Sequence, residues 1–116
     1  MKRQVWFGVG ILLLVGAGPV YARDQVGAIA IGKGRFGYSY DWSTPSQAQQ
    51  RALQECGSPD CKVVLTFSGG CGAVAEGQGR IGIGTGKTRQ LAEQAAIKVC
   101  NDPTCQVTVW ACNSPR

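Results

Sequence analysis

The sequence predicts one small α+β domain, built from two tandem β-β-α-β repeats with their helices on one face of an antiparallel or mixed sheet and stapled by disulfides. Three observations predict it. The chain matches itself at a spacing of 44 to 45 residues, each copy carries alternating strand patterns around one capped helix, and six cysteines fall at corresponding points. Gly27-Ala-Ile-Ala-Ile-Gly-Lys-Gly-Arg-Phe-Gly37 aligns with Gly72-Ala-Val-Ala-Glu-Gly-Gln-Gly-Arg-Ile-Gly82, and Thr44, Ala48, Ala52, Cys56, Pro59 and Cys61 align with Thr88, Ala92, Ala96, Cys100, Pro103 and Cys105. Self-similarity at a fixed period marks a duplicated supersecondary unit. The first copy spans about 26–71 and the second about 72–113.

In the first copy, Val26–Ile31 and Arg35–Asp41 flank Gly32-Lys33-Gly34, a turn suited to a short hairpin. Thr44-Pro45-Ser46-Gln47 then has a helix-start pattern, with Thr as N-cap, Pro at the first helical position and Gln at the third. Ala48, Ala52, Leu53 and Cys56 form the apolar stripe. Gly57 suits a left-handed stop and Pro59 bars continuation. Lys62–Ser68 reads as a β-branched strand. In the second copy Gly77-Gln78-Gly79 is the turn and Thr88 the N-cap. Leu91, Ala92, Ala95, Ala96, Val99 and Cys100 form the stripe, Asn101 and Pro103 stop the helix, and Gln106–Ala111 is the last strand.

Residues 1–22 read as a secretory signal: basic Lys2 and Arg3, an apolar run from Val5 to Ala17, and small residues in Val20-Tyr21-Ala22 at the cleavage positions. The run is too short for a spanning helix, so no membrane span is expected after cleavage. Residues 23–116 then form a single cysteine-rich domain with a formal charge of +3. Its basic residues are scattered, whereas a nucleic-acid binder clusters them on one face, so no nucleic acid is expected as partner. The expected location is exported, either periplasmic or secreted.

All six cysteines lie in the exported part, the composition of a disulfide framework rather than a zinc site. Cys56 and Cys61 bracket a helix stop, as do Cys100 and Cys105, which brings each pair within bridging reach. Cys71 is left to meet Cys112, clasping the two copies.

Two G-x-G-x-x-G patterns, Gly32 to Gly37 and Gly77 to Gly82, lie at hairpin turns and lead into strands, not into the helix N-terminus that a dinucleotide site requires. Gly82-Ile-Gly-Thr-Gly-Lys87-Thr88 has three residues between its outer glycines, where a phosphate loop has four. No cofactor or metal is expected. Histidine is absent, which removes the usual general base for Ser or Cys nucleophiles. Among the carboxylates, Asp60 and Asp102 fall in the helix-stop turns and Glu55 and Glu93 on polar helix faces. Asp41 and Glu76 remain as an acid pair for glycoside hydrolysis, with nothing in the sequence placing them together.

Aromatic placement carries the functional expectation. Phe36, Tyr38, Tyr40 and Trp42 alternate along one strand and should share a sheet face, where the second copy has Ile81, Ile83 and Thr85. Phe36 and Tyr38 are expected in the core beneath the helix, with Tyr40 and Trp42 nearer the exposed strand end. Val63, Leu65 and Phe67 align with Val107, Val109 and Ala111 as the buried face. Trp110 falls opposite, with Val64, Thr66 and Thr108, either as an exposed contact residue or covered by a loop or the C-terminal tail. Trp110, Trp42 and Tyr40 are the candidate contact residues.

With Gly27-Ala-Ile-Ala, Tyr38-Ser-Tyr, Ala52-Leu-Gln-Glu-Cys56, Asp60-Cys-Lys-Val-Val64, Cys71-Gly-Ala-Val-Ala75 and Val107-Thr-Val-Trp-Ala-Cys-Asn113, the chain resembles the domain of unknown function 4189 family of small exported bacterial proteins. The resemblance covers Gly27 to Asn113. It implies export and cysteine bridging, brings no catalytic residues, and includes members that look like secreted effectors or immunity-type proteins. The expected function is a non-enzymatic module binding another protein outside the cytoplasm. The alternative is a secreted effector or weak cell-envelope hydrolase using carboxylates.

Overall fold

The computed structural model describes residues 24–115; the expected signal segment, 1–22, lies outside the described residues. Eight elements follow in order: β1 (Val26–Gly32), β2 (Arg35–Trp42), α1 (Pro45–Cys56), β3 (Lys62–Ser68), β4 (Cys71–Gly77), β5 (Arg80–Gly86), α2 (Arg89–Cys100) and β6 (Gln106–Cys112). The helix boundaries follow from the caps. Thr44 and Thr88 accept hydrogen bonds from the N–H groups of Gln47 and Leu91, and Gly57 and Asn101 close the helices in the left-handed conformation. Arg35 and Arg80 each donate from Nε to the carbonyl of the last helical residue, Cys56 or Cys100, at 3.1 and 2.9 Å. A cation there also suits the negative end of the helix dipole.

The strands do not form one sheet. They form two antiparallel three-stranded sheets, ordered β2-β1-β3 and β5-β4-β6. Gly69 and Gly70, both at positive φ, lead the chain from β3 into β4 of the second sheet. The sheets stack face to face through Ile29, Phe67, Val74, Val109 and Ala111, and each helix covers the outer face of its own sheet. The helices therefore lie on opposite outer faces, giving a helix-sheet-sheet-helix order of layers. A β-carbon on Gly72 would meet Leu65 and Phe67 of the other sheet within 3 Å, so a small residue is needed for this approach.

The two outer layers are also closely spaced. A β-carbon on Gly37 would lie 2.2 Å from the Ala52 carbonyl oxygen, and one on Gly82 2.2 Å from that of Ala96. Such a floor admits only small helix residues, so the buried stripes narrow to Ala48, Ala52 and Cys56, and to Ala92, Ala96 and Cys100. Leu53, Leu91 and Val99, expected in those stripes, are exposed.

Three disulfides join Cys56 to Cys61, Cys100 to Cys105 and Cys71 to Cys112. The first two close the turns after the helices. The third links β4 to β6 at directly opposed positions of one sheet. It therefore closes the second sheet on itself and does not cross between the sheets. Three bridges imply an oxidising, non-cytoplasmic environment. Among the described residues no helix is long and apolar enough to cross a membrane.

Candidate functional site

Strand β2 sets the site. Its helix-facing side consists of Gly37 and Ser39, whose hydroxyl donates to the Ala48 carbonyl at 2.6 Å. Alternation then turns Phe36, Tyr38 and Tyr40 away from α1. They are 48, 43 and 51% exposed, so the expected burial of Phe36 and Tyr38 under the helix does not occur. The space below the helix is filled by backbone and leaves no room for a ring. Tyr38 and Tyr40 stack at 6.4 Å between centroids with their planes 17° apart.

Trp42 does not share this row. Asp41 adopts φ +64°, and the pairing of β2 with β1 shifts between Val26 and Ala28. This bulge reverses the alternation beyond it, and Trp42 packs half-buried against the cluster between α1 and the first sheet. A bulge at Val64 acts likewise: Val63 joins the helix-side cluster, while Leu65, Phe67 and Val64 belong to the layer between the sheets. A matching shift at Thr108 separates Val107 from Val109 and Ala111. The expected single buried faces of β3 and β6 are thus each divided between two layers.

The aromatic row flanks β6 across the sheet boundary. Phe36, Tyr38 and Tyr40 line one wall of a groove of about 460 Å³, and Thr108 to Cys112 line the other. Trp110 pairs with Ala73 on the α2 side of its sheet and is 37% exposed. Among the described residues neither a loop nor the tail covers it. The Arg89 guanidinium lies 4.0 Å from its ring centre, and Arg89 is itself paired with Glu93 at 2.9 Å.

Beyond Tyr40 and Cys112 the two strand ends are tied together. Asn113, nearly fully buried, accepts from the Asp41 N–H at 2.8 Å and donates from Nδ2 to the Gly69 carbonyl at 3.2 Å. The Ser114 N–H then donates to the Asp41 carboxylate at 2.6 Å. Asp41 is thereby committed to holding the C-terminal tail. Glu76 lies at the other end of β2, sharing a small cavity with Phe36 and Thr108. Asp41 lies five residues beyond Phe36 along the strand, about 16 Å of chain. A glycosidase pair works across roughly 5 to 9.5 Å, so the fold does not bring Asp41 and Glu76 together.

Asp60 and Asp102 act in the turns. The Asp60 carboxylate accepts from the Ser58 hydroxyl and from the Lys33 N–H at 2.8 Å, anchoring the first hairpin. Those two bonds, the Ser58 one first, hold its carboxyl below the ordinary value. Asp102 is lowered by the hydroxyl and then the N–H of Thr104, and the Thr104 oxygen accepts from the Gln78 N–H at 2.9 Å. Glu55 pairs with Arg51 on the helix surface. Among the described residues no cluster of three or more His, Cys, Asp or Glu is placed to hold a metal.

Comparison with known proteins adds kinship to this geometry. The family model described as "Domain of unknown function (DUF4189)" matches residues 26–112. The chain belongs to the DUF4189 family. A DUF4189 relative, the uncharacterized protein Rv1813c of Mycobacterium tuberculosis, is 41% identical over 96 residues, covering 82% of this chain and 65% of the relative. Protein Rv1269c of the same organism is 38% identical over 93 residues, 79% of this chain and 73% of that protein. The solved NMR structure of Rv1813c matches with a TM-score of 0.64 at 37% identity, over 82% of this chain and 80% of the other. The small α+β fold with two antiparallel sheets and two helices is therefore shared with a DUF4189 relative.

Of the expected contact residues, Tyr40 lies in the groove, Trp110 at its rim and Trp42 outside it. Phe36, Tyr38 and the uncharged β6 edge belong to the site and were not expected there. The sequence signal for the first two is Gly37 and Ser39 between them, small residues that claim the helix side.

Proposed function

We propose that this protein is an exported, non-enzymatic, disulfide-stapled binding module whose contact site is the Phe36–Tyr38–Tyr40 groove and whose partner is another protein. An immunity or inhibitor role in the periplasm suits such a module. One observation carries the reading: three exposed aromatic rings stand in a row beside an uncharged strand, in a chain whose sheets otherwise bury small aliphatic residues. Large rings with apolar area and a polar tip are the residue type that dominates protein contacts. The separation of Asp41 from Glu76 and the absence of histidine support a non-enzymatic role. On this reading residues 1–22 are a cleaved signal and 23–116 a single domain. The domain consists of two tandem β-β-α-β copies (26–71 and 72–113), a duplication supported by the matching element order, caps and turn bridges.

Affinity capture from cell-envelope extract with wild type and the Tyr38→Ala/Tyr40→Ala double variant tests the reading. A stoichiometric protein partner retained by wild type and lost by the variant is expected. Cleavage of cell-wall glycans that disappears in Asp41→Asn or Glu76→Gln would overturn it in favour of a carboxylate hydrolase.

A further inference from the structure

Each sheet has two outer strands, and such edges present unpaired backbone groups that proteins usually guard with charge. Strand β2 carries Arg35 and Asp41, β3 carries Lys62 and β5 carries Arg80. Strand β6, Gln-Val-Thr-Val-Trp-Ala-Cys, has no charged residue. Among the described residues it is bonded to β4 alone.

The outward groups can be assigned. The Asn113 N–H donates to the Gly70 carbonyl at 2.8 Å, so Asn113 turns its N–H toward the β4 side. Antiparallel ladders alternate, so Ala111 and Val109 do the same, and Trp110 and Cys112 direct N–H and C=O outward. Cys71 and Cys112 then form a non-hydrogen-bonded pair, in keeping with their Cα separation of 4.0 Å. Five consecutive residues, Thr108 to Cys112, line the groove. Alternating side chains cannot place five consecutive residues on one wall, so it is the backbone edge that opens there.

The aromatic row faces this edge across the groove. Its Tyr38 and Tyr40 rings are 6.4 Å apart, close to the two-residue repeat of an extended chain, about 6.7 Å. None of the residues lining the groove is charged; Glu76 lies beyond Phe36, Asp41 beyond Tyr40, and Arg89, paired with Glu93, caps the Trp110 ring at the rim. The groove walls match a segment uncharged in the middle, because burying an unpaired charge there is costly.

We propose that β6 is a docking edge: an extended segment of another protein, apolar at alternate residues, adds to it as a fourth strand and seats those side chains on Phe36, Tyr38 and Tyr40. Main-chain bonds to Trp110 and Cys112 provide affinity, and the ring row selects the side-chain pattern. This rests on the groove being the contact site.

The test uses seven-residue peptides selected from a random displayed library on the folded, oxidised protein, with affinities read by fluorescence anisotropy. Selected peptides should alternate apolar and polar residues. Methylating their backbone nitrogens at alternate positions, side chains unchanged, should weaken binding at least about tenfold. Amide exchange at Trp110 and Cys112 should slow in the complex, and not at β3 or β5. Trp110→Pro removes an outward donor without removing a bond to β4, a substitution that edge strands tolerate. It should weaken binding about tenfold or more, while Trp110→Leu, which keeps the donor, should stay within about threefold. Binding that Tyr38→Ala abolishes but backbone methylation and Trp110→Pro leave intact overturns strand addition and preserves the groove. Binding insensitive to Tyr38→Ala as well overturns both. A free protein that is dimeric through β6, becoming monomeric in Trp110→Pro, overturns the proposal in favour of a second copy as occupant.

Discussion

The two halves of this protein share a skeleton and differ in what their second strands, β2 and β5, present. In both, a threonine starts the helix, a left-handed residue ends it, an arginine from the adjacent strand caps it, and a five-residue disulfide loop follows. Strand β5 pairs with β4 without a register shift and presents Ile81 and Ile83; β2 carries a bulge at Asp41 and presents Phe36, Tyr38 and Tyr40. What is held constant is what a close helix-sheet contact requires: Gly37 and Gly82 against the carbonyls of Ala52 and Ala96. What varies faces away from the helices, where packing imposes less. The aromatic row marks the half that departs from the shared plan, and the proposed contact site lies there.

Disulfide removal gives the largest expected contrast. Loop-entropy scaling assigns about 4 kcal/mol to the 41-residue separation of Cys71 and Cys112 and about 2 kcal/mol to each five-residue loop. Denaturant unfolding of Cys71→Ala/Cys112→Ala should show the greater loss, with Cys56→Ala/Cys61→Ala and Cys100→Ala/Cys105→Ala alike and smaller. Unequal losses for the two short bridges would break the equivalence of the halves.

The glycine floors come next. Gly37→Ala and Gly82→Ala each force a β-carbon into helix backbone, and each should cost about 3 kcal/mol by the same measurement. A cost confined to one of them would mean that the helices are not seated alike.

Asp60 and Asp102 provide the smallest and sharpest contrast. Their folded pKa values lie below the ordinary value of 3.8, so each contributes stability that is complete above that value and is lost as pH falls through the folded one. Unfolding followed from pH 6 to pH 2 should show a shallower acid loss in both Asp60→Asn and Asp102→Asn. Amide exchange should separate them. Asp60→Asn should speed exchange at Lys33, whose N–H it accepts directly, whereas Asp102→Asn should affect Gln78 less, since Thr104 carries that bond.

The helices, hairpins and turn bridges were legible because each is local: a threonine, a glycine or a cysteine acts within a few residues of where it stands. The division into two sheets was not legible, since it depends on where Gly69 and Gly70 turn the chain. The aromatic row was placed on the wrong face because Gly37 and Ser39, the small residues between the rings, claim the helix side; Trp42 and the divided faces of β3 and β6 were misread for another reason. Alternation is a rule of parity, and one inserted residue reverses it for everything beyond. Val64 and Thr108 are ordinary strand formers, and nothing in them announces a bulge. Asp41 is at least a residue type that tolerates positive φ. The groove could not be inferred, because its walls belong to strands about 70 residues apart whose adjacency exists only once the sheets have stacked.

The bonds from Asn113 and Ser114 to Asp41 have a consequence in time. A ribosome delivers the chain from its N-terminus, so the strand bearing the aromatic row is made long before the residues that pin its bulge. Until residues 112 to 114 arrive, Asp41 lacks its partners and Cys71 lacks Cys112. Each short bridge closes within a single turn, whereas the fastening of the groove walls waits for residues 112 to 114. A chain cut just before Cys112 would keep every aromatic residue of the groove and lose the fastening that holds its two walls together.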